Sequence, residues 1–183
     1  MIINKIINQH IRVAKTLLNN NLEHISKICL NTVQNNNKII LCGNGGSAAD
    51  ANHIAAELVG KFEKNRRGLS AISLCSNQSN LTSIGNDFGF KYIFSRQLES
   101  IGKENDTLIA ISTSGNSKNI IEAINIAKKL NMHIIVLTGK NGGECSRIDK
   151  IELVNIDSDS TARIQEMHIL IGHIICSYIE EYL

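Results

Sequence analysis

Five short runs rich in aliphatic and β-branched residues alternate with segments of helical periodicity, and this alternation limits the possible folds more than any other feature of the chain. The runs cover residues 38–42, 69–74, 107–111, 133–138 and 150–156, and the helical segments between them cover 48–61, 80–84, 92–101 and 120–130. Strands that alternate with helices form βαβ units, whose parallel strands are covered by helices on both faces. The sequence therefore predicts an α/β fold with a five-stranded, mostly parallel sheet in a three-layer α/β/α arrangement.

Helical periodicity also marks both ends of the chain. Residues 2–34 predict two helices that meet near residues 19–21 and form an amphipathic cover or interface element. The last helix, 162–182, begins after the capping candidates Asp159, Ser160 and Thr161 and is apolar on several faces. A helix of this kind is buried, and in a domain this small we expect part of the burial to come from a second subunit.

Length and composition exclude several classes of protein. The 183 residues fit one domain spanning 1–183, and the formal net charge of +2 predicts no nucleic-acid partner. The one basic run, formed by Lys61, Lys64, Arg66 and Arg67, is interpreted as a solvated loop. Five cysteines without C-x-x-C spacing favour free thiols in a reducing compartment. The sequence shows neither a signal-peptide pattern nor an apolar run of membrane-spanning length, so we expect a cytoplasmic protein with no membrane partner.

Two strand-to-helix loops are suited to an anion. The run 107–111 leads directly into the hydroxyl-rich loop Ser112 to Ser117, and the run 38–42 leads into Gly43 to Ser47. Backbone N–H groups and the positive end of the helix dipole favour a phosphate at such places. The glycine loop also fits a loose dinucleotide fingerprint, but Glu63, the acid at the required distance, precedes the next strand instead of ending it. Dinucleotide binding is therefore not favoured.

A second group of polar residues lies on two of the predicted helices. His53 and Glu57 are four residues apart and share a helix face, with Asp50 one turn before them. Gln165 and His173 lie on the last helix, where Gly172 leaves room for close approach. These four side chains could surround a divalent cation such as zinc. By themselves, a His–Glu pair at this spacing is typical of a surface pair and a lone His on an apolar helix is typical of a core residue.

The motifs exclude some reactions and favour another. The sequence lacks the G-x-S-x-G elbow of a hydrolase and the Walker lysine of a kinase. A phosphate site with one Glu and one His suits aldose–ketose isomerisation, in which a carboxylate moves a proton between adjacent carbons through an enediol. Asn86 and Asp87 form a further polar turn that could reach the same edge of the sheet.

Taken together, the motifs closely resemble those of the phosphoheptose isomerases, also called sedoheptulose 7-phosphate isomerases, of the sugar isomerase (SIS) fold. The resemblance runs nearly the whole chain in order and is carried by these segments: Gly43-Asn44-Gly45-Gly46-Ser47, His53-x-x-x-Glu57, Asn86-Asp87-Phe88-Gly89-Phe90, Ser112-Thr113-Ser114-Gly115-Asn116-Ser117, Leu137-Thr138-Gly139-Lys140 and Arg163-Ile164-Gln165-Glu166-x-His168.

This resemblance implies a single SIS domain that converts D-sedoheptulose 7-phosphate to D-glycero-D-manno-heptose 7-phosphate, the first step toward activated heptoses for lipopolysaccharide or capsule. It implies that Ser112, Thr113, Ser114 and Ser117 hold the phosphate, with Ser47 near it. The implied sugar-binding residues are Asn44, Gly45, Gly46, Asn86 and Asp87, together with Glu57 and Gln165.

The resemblance further implies one zinc ion per subunit, held by His53, Glu57, Gln165 and His173, and an acid/base pair formed by Glu57 and His173. It implies a homotetramer with active sites between subunits, which agrees with the apolar terminal helices.

Two departures and three alternatives qualify this expectation. Ala162 stands where some members carry an acid, and the Arg66-Arg67 segment lacks the Pro of other members. One alternative is a non-catalytic adaptor that binds the bacterial replication initiator, but that relative lacks the acid/base pair. A sugar-phosphate sensor without turnover and an isomerase for another sugar phosphate are the others.

Overall fold

Five strands form one parallel sheet in the order β2-β1-β3-β4-β5. Their bounds are Ile39–Gly43 (β1), Ala71–Ser73 (β2), Thr107–Ser112 (β3), His133–Gly139 (β4) and Glu152–Ile156 (β5). The structure, a computed structural model, describes residues 1–183, except for the side chain of Asn19. Each of the four strand pairings is parallel, which confirms the predicted sheet. Residue-by-residue pairing places the ends of β1 and β3 side by side, since Gly43 is paired with Ile111.

Seven helices cover the sheet within the described residues. Their bounds are Ile2–Thr16 (α1), Leu22–Gln34 (α2), Gly46–Val59 (α3), Gln78–Asp87 (α4), Ser95–Ile101 (α5), Lys118–Lys129 (α6) and Thr161–Tyr182 (α7). Alternate residues of a strand point to opposite faces of the sheet. Ile39, Leu41 and Ile109 therefore pack against α2, α3 and α7, whereas Ile40, Leu108 and Ala110 pack against α5 and α6. The result is the predicted three-layer arrangement with a core on each face.

The edge strands are shorter than predicted. β2 pairs only with Ile39 to Leu41 of β1, and before it the chain turns back to α3, where Leu69 N–H donates to the Leu58 carbonyl. β5 begins after Lys150, whose φ of +56° interrupts extended backbone. An edge strand has one neighbour, so its length depends on that neighbour's register and cannot be read from its own residues.

Two predicted segments differ from the structure on the face of the sheet that α5 and α6 cover. The predicted helix 92–101 is a 3₁₀ turn, Phe90–Tyr92, followed by the shorter α5. The prediction of a turn at Asn86-Asp87 is wrong, because both residues belong to the last turn of α4. Asn77 caps that helix by accepting the Asn80 N–H at 3.1 Å, and the chain turns at Gly89, where φ is +96°.

The terminal helices meet beside the sheet. As predicted, residues 2–34 form two helices, joined by the 3₁₀ turn Leu17–Asn19. Arg163 of α7 donates to the Ile6 carbonyl of α1 at 3.1 Å, and His10 Nδ1 lies 2.7 Å from Glu166 Oε2. Within the described residues, no helix combines the length and the apolar composition that crossing a membrane requires.

Candidate active site

The hydroxyl-rich loop connects β3 to α6 at the carboxyl edge of the sheet. Ser112 ends β3 and its hydroxyl donates to Ser117 Oγ at 3.2 Å. Ser117 is the N-cap of α6, but its side chain makes no capping hydrogen bond. The first N–H groups of a helix have no partner within the helix. The loop thus combines backbone donors, hydroxyls and the positive end of a helix dipole, as an anion site requires.

Gly115 allows the loop to fold tightly. Gly115 has a φ of +65°, and a side chain there would collide with the Gly142 carbonyl. The segment after β4 braces the loop from that side: Asn116 Oδ1 accepts the Glu144 N–H at 2.9 Å, and the Cys145 N–H donates to the Gly115 carbonyl at 3.0 Å. The loop conformation is therefore fixed by the protein before any ligand binds.

The glycine loop lies beside the serine loop and is joined to it. Asn44 and Asn119, in the first turn of α6, exchange two side-chain hydrogen bonds of 2.9 and 2.8 Å. Gly45 has a φ of +56° and is the N-cap of α3, so no side chain caps this helix either. Ser47 is buried in its first turn. Two helix N-termini thus meet at the edge of adjacent strands, where parallel sheets bind ligands.

A histidine and carboxylate cluster lies between α3 and α7. His53 Nε2 is 3.0 Å from Glu57 Oε1. The rings of His53 and His173 meet edge to face with 5.2 Å between centroids. The candidate ligand atoms of His53, Glu57 and His173 all lie within 4.8 Å of one another. The structure therefore brings these three predicted residues together from two helices.

Two glycines allow the helices to approach closely. A Cβ on Gly172 would collide with the side chain of Ile54, and a Cβ on Gly46 would collide with the amide group of Gln165. Gln165 thereby lies against the first turn of α3, in which the glycine loop ends. The predicted room beside Gly172 is filled by α3.

The cluster has the chemistry of a zinc site. Two imidazoles and a carboxylate are donors that Zn²⁺ accepts, and the Gln165 amide is a further oxygen donor. His173 Nε2 is buried and has no hydrogen-bond partner among the described residues. An unpaired nitrogen is costly in the interior, and a bound cation would remove that cost. The residues present therefore fit the metal.

Other predicted residues make no hydrogen bond with this cluster within the described part of the chain. Burial raises the pKa of Asp50, although the electrostatic interaction with His53 acts to lower that pKa. Asn86 and Asp87 are exposed and bind each other, with 2.8 Å between Asn86 Nδ2 and Asp87 Oδ1. His168, from the last motif, is a buried brace: it donates to the Thr138 carbonyl at 3.1 Å, and burial lowers its pKa to about 4.

The interpretation of the basic run as a solvated loop is wrong for Arg66. Its side chain is largely buried and forms an ion pair with Glu180 of α7, with 3.0 Å between Nε and Oε1. Glu180 and Phe62, which stacks on His173, were not predicted as functional residues. Each carries a signal, since Glu180 is an acid two turns after His173 and Phe62 is an aromatic residue in a polar loop. Neither signal identifies a partner.

A separate cavity of about 660 Å³ lies between α1 and the segment after β5. Its charged lining includes Arg12, Arg163, Asp157 and Asp159, and it contains no predicted site residue. The predicted site residues lie elsewhere, at the carboxyl edge of the sheet and between α3 and α7.

Comparison with known proteins agrees with the fold and the motifs. The family model described as "SIS domain" matches residues 4–139. The phosphoheptose isomerase of Aliarcobacter butzleri is 52% identical over 162 residues, covering 88% of this chain and 85% of that protein. The phosphoheptose isomerase of Nitratiruptor sp. is 54% identical over 156 residues, covering 85% of this chain and 83% of that protein.

Two solved structures are similar over almost the whole chain. Phosphoheptose isomerase GmhA from Neisseria gonorrhoeae is 41% identical with a TM-score of 0.90, covering 98% of this chain and 97% of that chain. A phosphoheptose isomerase from Francisella tularensis is 35% identical with a TM-score of 0.91, covering 98% and 96%.

Proposed function

Because the chain belongs to the SIS-domain family, and within it to the phosphoheptose isomerases, we propose that it converts D-sedoheptulose 7-phosphate to D-glycero-D-manno-heptose 7-phosphate. The observation that carries this proposal is that Glu57 and His173 meet from facing helices, in a fold whose strands β1 and β3 lead into two loops suited to an anion. The enzyme is thus an aldose–ketose isomerase, and its product would supply activated heptoses for lipopolysaccharide or capsule.

The serine loop would hold the phosphate. Ser112, Thr113, Ser114 and Ser117 offer hydroxyls around the first turn of α6, and Ser47 offers another from α3. The sugar would then extend from its phosphate along the glycine loop, past Asn44, Gly45 and Gly46, toward Gln165. Binding at the distant phosphate fixes the reacting carbons by position and lowers the entropic cost of the proton transfer.

Glu57 and His173 would carry the proton transfer. In the ketose the carbonyl is at C2, so Glu57 removes a proton from C1 and the electron pair forms the C1–C2 double bond of an enediol. His173 exchanges protons with the oxygens, and return of a proton to C2 gives the aldose with its carbonyl at C1. The two side chains lie on different helices and can contact two sides of a bound sugar.

His53, Glu57, Gln165 and His173 would hold one zinc ion per subunit. When bound, zinc would polarise the sugar oxygens and stabilise negative charge there. Glu57 would keep a second carboxylate oxygen, and His173 a second ring nitrogen that carries N–H, for contact with the bound sugar.

We also propose that the enzyme is a cytoplasmic homotetramer with active sites between subunits, in one domain spanning residues 1–183. Support comes from the exposed apolar side of α1. A non-catalytic adaptor is disfavoured because Glu57 and His173 are both present and adjacent.

The test is incubation of the purified protein with D-sedoheptulose 7-phosphate in deuterium oxide, with and without a chelator. We expect deuterium at C2 of the heptose phosphate and a slower reaction after metal removal. Glu57→Gln keeps the shape of the side chain but removes its basicity, and it should lower kcat by about 10²–10⁴-fold. Wild-type turnover in Glu57→Gln would disprove the mechanism, and a wild-type enzyme that leaves the substrate unchanged would disprove the function.

A further inference from the structure

One buried ion pair connects the two helices that carry Glu57 and His173. Arg66 lies in the loop after α3 and Glu180 lies near the end of α7, with 3.0 Å between Nε and Oε1. Their side chains are only 10% and 2% exposed. Removing one partner of a buried ion pair destabilises a protein strongly, because the other charge is left uncompensated in the interior. The two side chains are therefore held in this geometry.

The Arg66 guanidinium fixes the end of α3. Its Nη2 donates to the Glu57 carbonyl at 2.8 Å, and its Nη1 donates to the carbonyls of Leu58 at 2.9 Å and Gly60 at 3.1 Å. The last carbonyls of a helix lack partners within the helix, and a cation there also interacts favourably with the helix dipole. Arg66 therefore holds the final turn of α3, which carries Glu57.

The Glu180 carboxylate fixes the loop that contacts His173. It accepts the N–H groups of Phe62 at 3.0 Å, Glu63 at 2.9 Å and Lys64 at 2.7 Å. The Phe62 ring stacks on the His173 ring at 5.4 Å between centroids and 30° between planes. Burial acts to raise the pKa of Glu180, but the three N–H donors and Arg66 more than offset it, so the pKa is lowered and the carboxylate is charged at neutral pH.

We propose that Arg66 and Glu180 are positioning residues that set the placement of Glu57 relative to His173. Neither residue belongs to the proposed catalytic pair, and each acts through an intermediary: the last turn of α3 for Glu57, and the Phe62 ring for His173. The assignment rests on the proposed function, because that function gives the proton transfer to Glu57 and His173. Misplacement of a catalytic group by about 1 Å can cost about 10²-fold in rate.

The chain offers matched controls for both residues. Arg67 is the exposed neighbour of Arg66. Glu181 follows Glu180 and pairs with Lys64 at 2.6 Å, but the side chains are exposed, Glu181 to 65% and Lys64 to 56%. Arg66→Ala and Glu180→Gln should lower kcat by about 10- to 100-fold and leave KM within about threefold, because the phosphate is bound elsewhere. Arg67→Ala and Glu181→Gln should leave both constants close to those of the wild type.

Two further measurements separate positioning from general damage to the fold. Millimolar guanidinium, far below denaturing concentrations, should restore part of the kcat of Arg66→Ala and none in Arg67→Ala. In NMR spectra of ring-labelled histidine, the His173 signals, assigned by their loss in His173→Gln, should shift in Arg66→Ala and Glu180→Gln but not in the controls.

If Arg66→Ala does not fold, Arg66→Lys takes its place, since one ammonium cannot replace a planar group with five donors. Folded variants with wild-type kcat, or with unchanged His173 signals, would overturn the proposal. If the wild-type enzyme did not convert D-sedoheptulose 7-phosphate, the proposed function would be disproved. The His173 signals of the variants would still test whether Arg66 and Glu180 position the His173 ring.

Discussion

At the scale of single residues, Ser117 differs from a usual N-cap serine. It stands at the N-cap of α6, but its hydroxyl makes no capping hydrogen bond and accepts one from the Ser112 hydroxyl instead. A serine at this position usually satisfies one of the helix's own N–H groups and stabilises the helix by about 1 kcal/mol. Here the side chain caps no N–H of α6, so the start of the helix lacks this stabilisation, and the hydroxyl stays within the loop that we propose for the phosphate.

Removing one hydroxyl of this loop should weaken substrate binding. Ser114→Ala and Ser117→Ala are each expected to raise KM by about tenfold, the loss of one hydrogen bond to a charged group, and to change kcat little. Steady-state kinetics and competition by inorganic phosphate measure both effects, with Ser100→Ala on α5 as the control. Equally large losses in kcat would mean that the loop also orients the reacting carbons.

Residues whose function depends on their own neighbours in sequence were predictable, and those that depend on distant partners were not. The serine and glycine loops follow directly from a strand-to-helix transition. Asn119 escaped prediction because its partner Asn44 lies 75 residues away, and Glu180 escaped because it binds N–H groups 116 to 118 residues away. Such pairs are created by the fold, so no local pattern contains them.

At the scale of elements, Asp106 ties the starts of β1 and β3 together at the edge opposite the site. Its carboxylate accepts the N–H groups of Lys38 and Lys103, each at 2.9 Å, and the Lys38 ammonium at 2.5 Å. Burial acts to raise the pKa of Asp106, but these bonds and one from Asn37 outweigh it and lower the pKa.

The sign of this shift predicts how stability depends on pH. A carboxylate whose pKa is lower in the folded state stabilises the fold above its unfolded pKa, and this contribution disappears as the pH falls through the folded pKa. Asp106→Asn should lower the free energy of unfolding by about 1–3 kcal/mol at pH 7, because the amide keeps one acceptor oxygen and turns an NH2 group toward the donors of the other. Urea denaturation should show this difference narrowing in acid.

The matched control for Asp106 is Asp149→Asn, which removes an exposed ion pair with Lys128 and should change stability very little. A difference between Asp106→Asn and the wild type that stayed constant down to pH 2 would contradict this account.

Element types were predictable because hydrophobic periodicity is strong over long segments, as in α1 and α6. The wrong assignments fall where the tertiary structure decides. Asn86 and Asp87 have the composition of a turn, yet they continue α4 until Gly89 allows the chain to reverse. The segment 92–101 has one apolar pattern, but α5 begins only at Ser95, after a 3₁₀ turn that ends at Tyr92.

At the scale of the whole molecule, α1 presents an unpartnered apolar surface. Ile2, Ile3, Ile6, Ile7 and Ile11 are each between 41% and 68% exposed, whereas Val13 on the other side of the helix is buried. Exposed apolar groups on one helix face favour association with another chain.

Charges on this surface should dissociate the proposed tetramer. Ile3→Glu combined with Ile7→Glu is expected to give smaller particles in sedimentation and to reduce turnover if the active sites are shared between subunits. Lys5→Glu, a polar position of the same helix, is the control. A wild-type enzyme that sediments as an active monomer would exclude the proposed tetramer.

The late position of α7 in the chain has a consequence for biosynthesis. This helix follows all five strands, yet it supplies Gln165, His173 and Glu180 and buries Met167, Ile171 and Ile175 in the core. Chains emerge from the ribosome N-terminus first, at about 5–20 residues per second. The sheet and both strand-to-helix loops are therefore made before the helix that completes the cluster. A truncated product that ends before α7 would expose one face of its core and lack His173 of the proposed acid/base pair, so heptose turnover would report only on chains translated to the end.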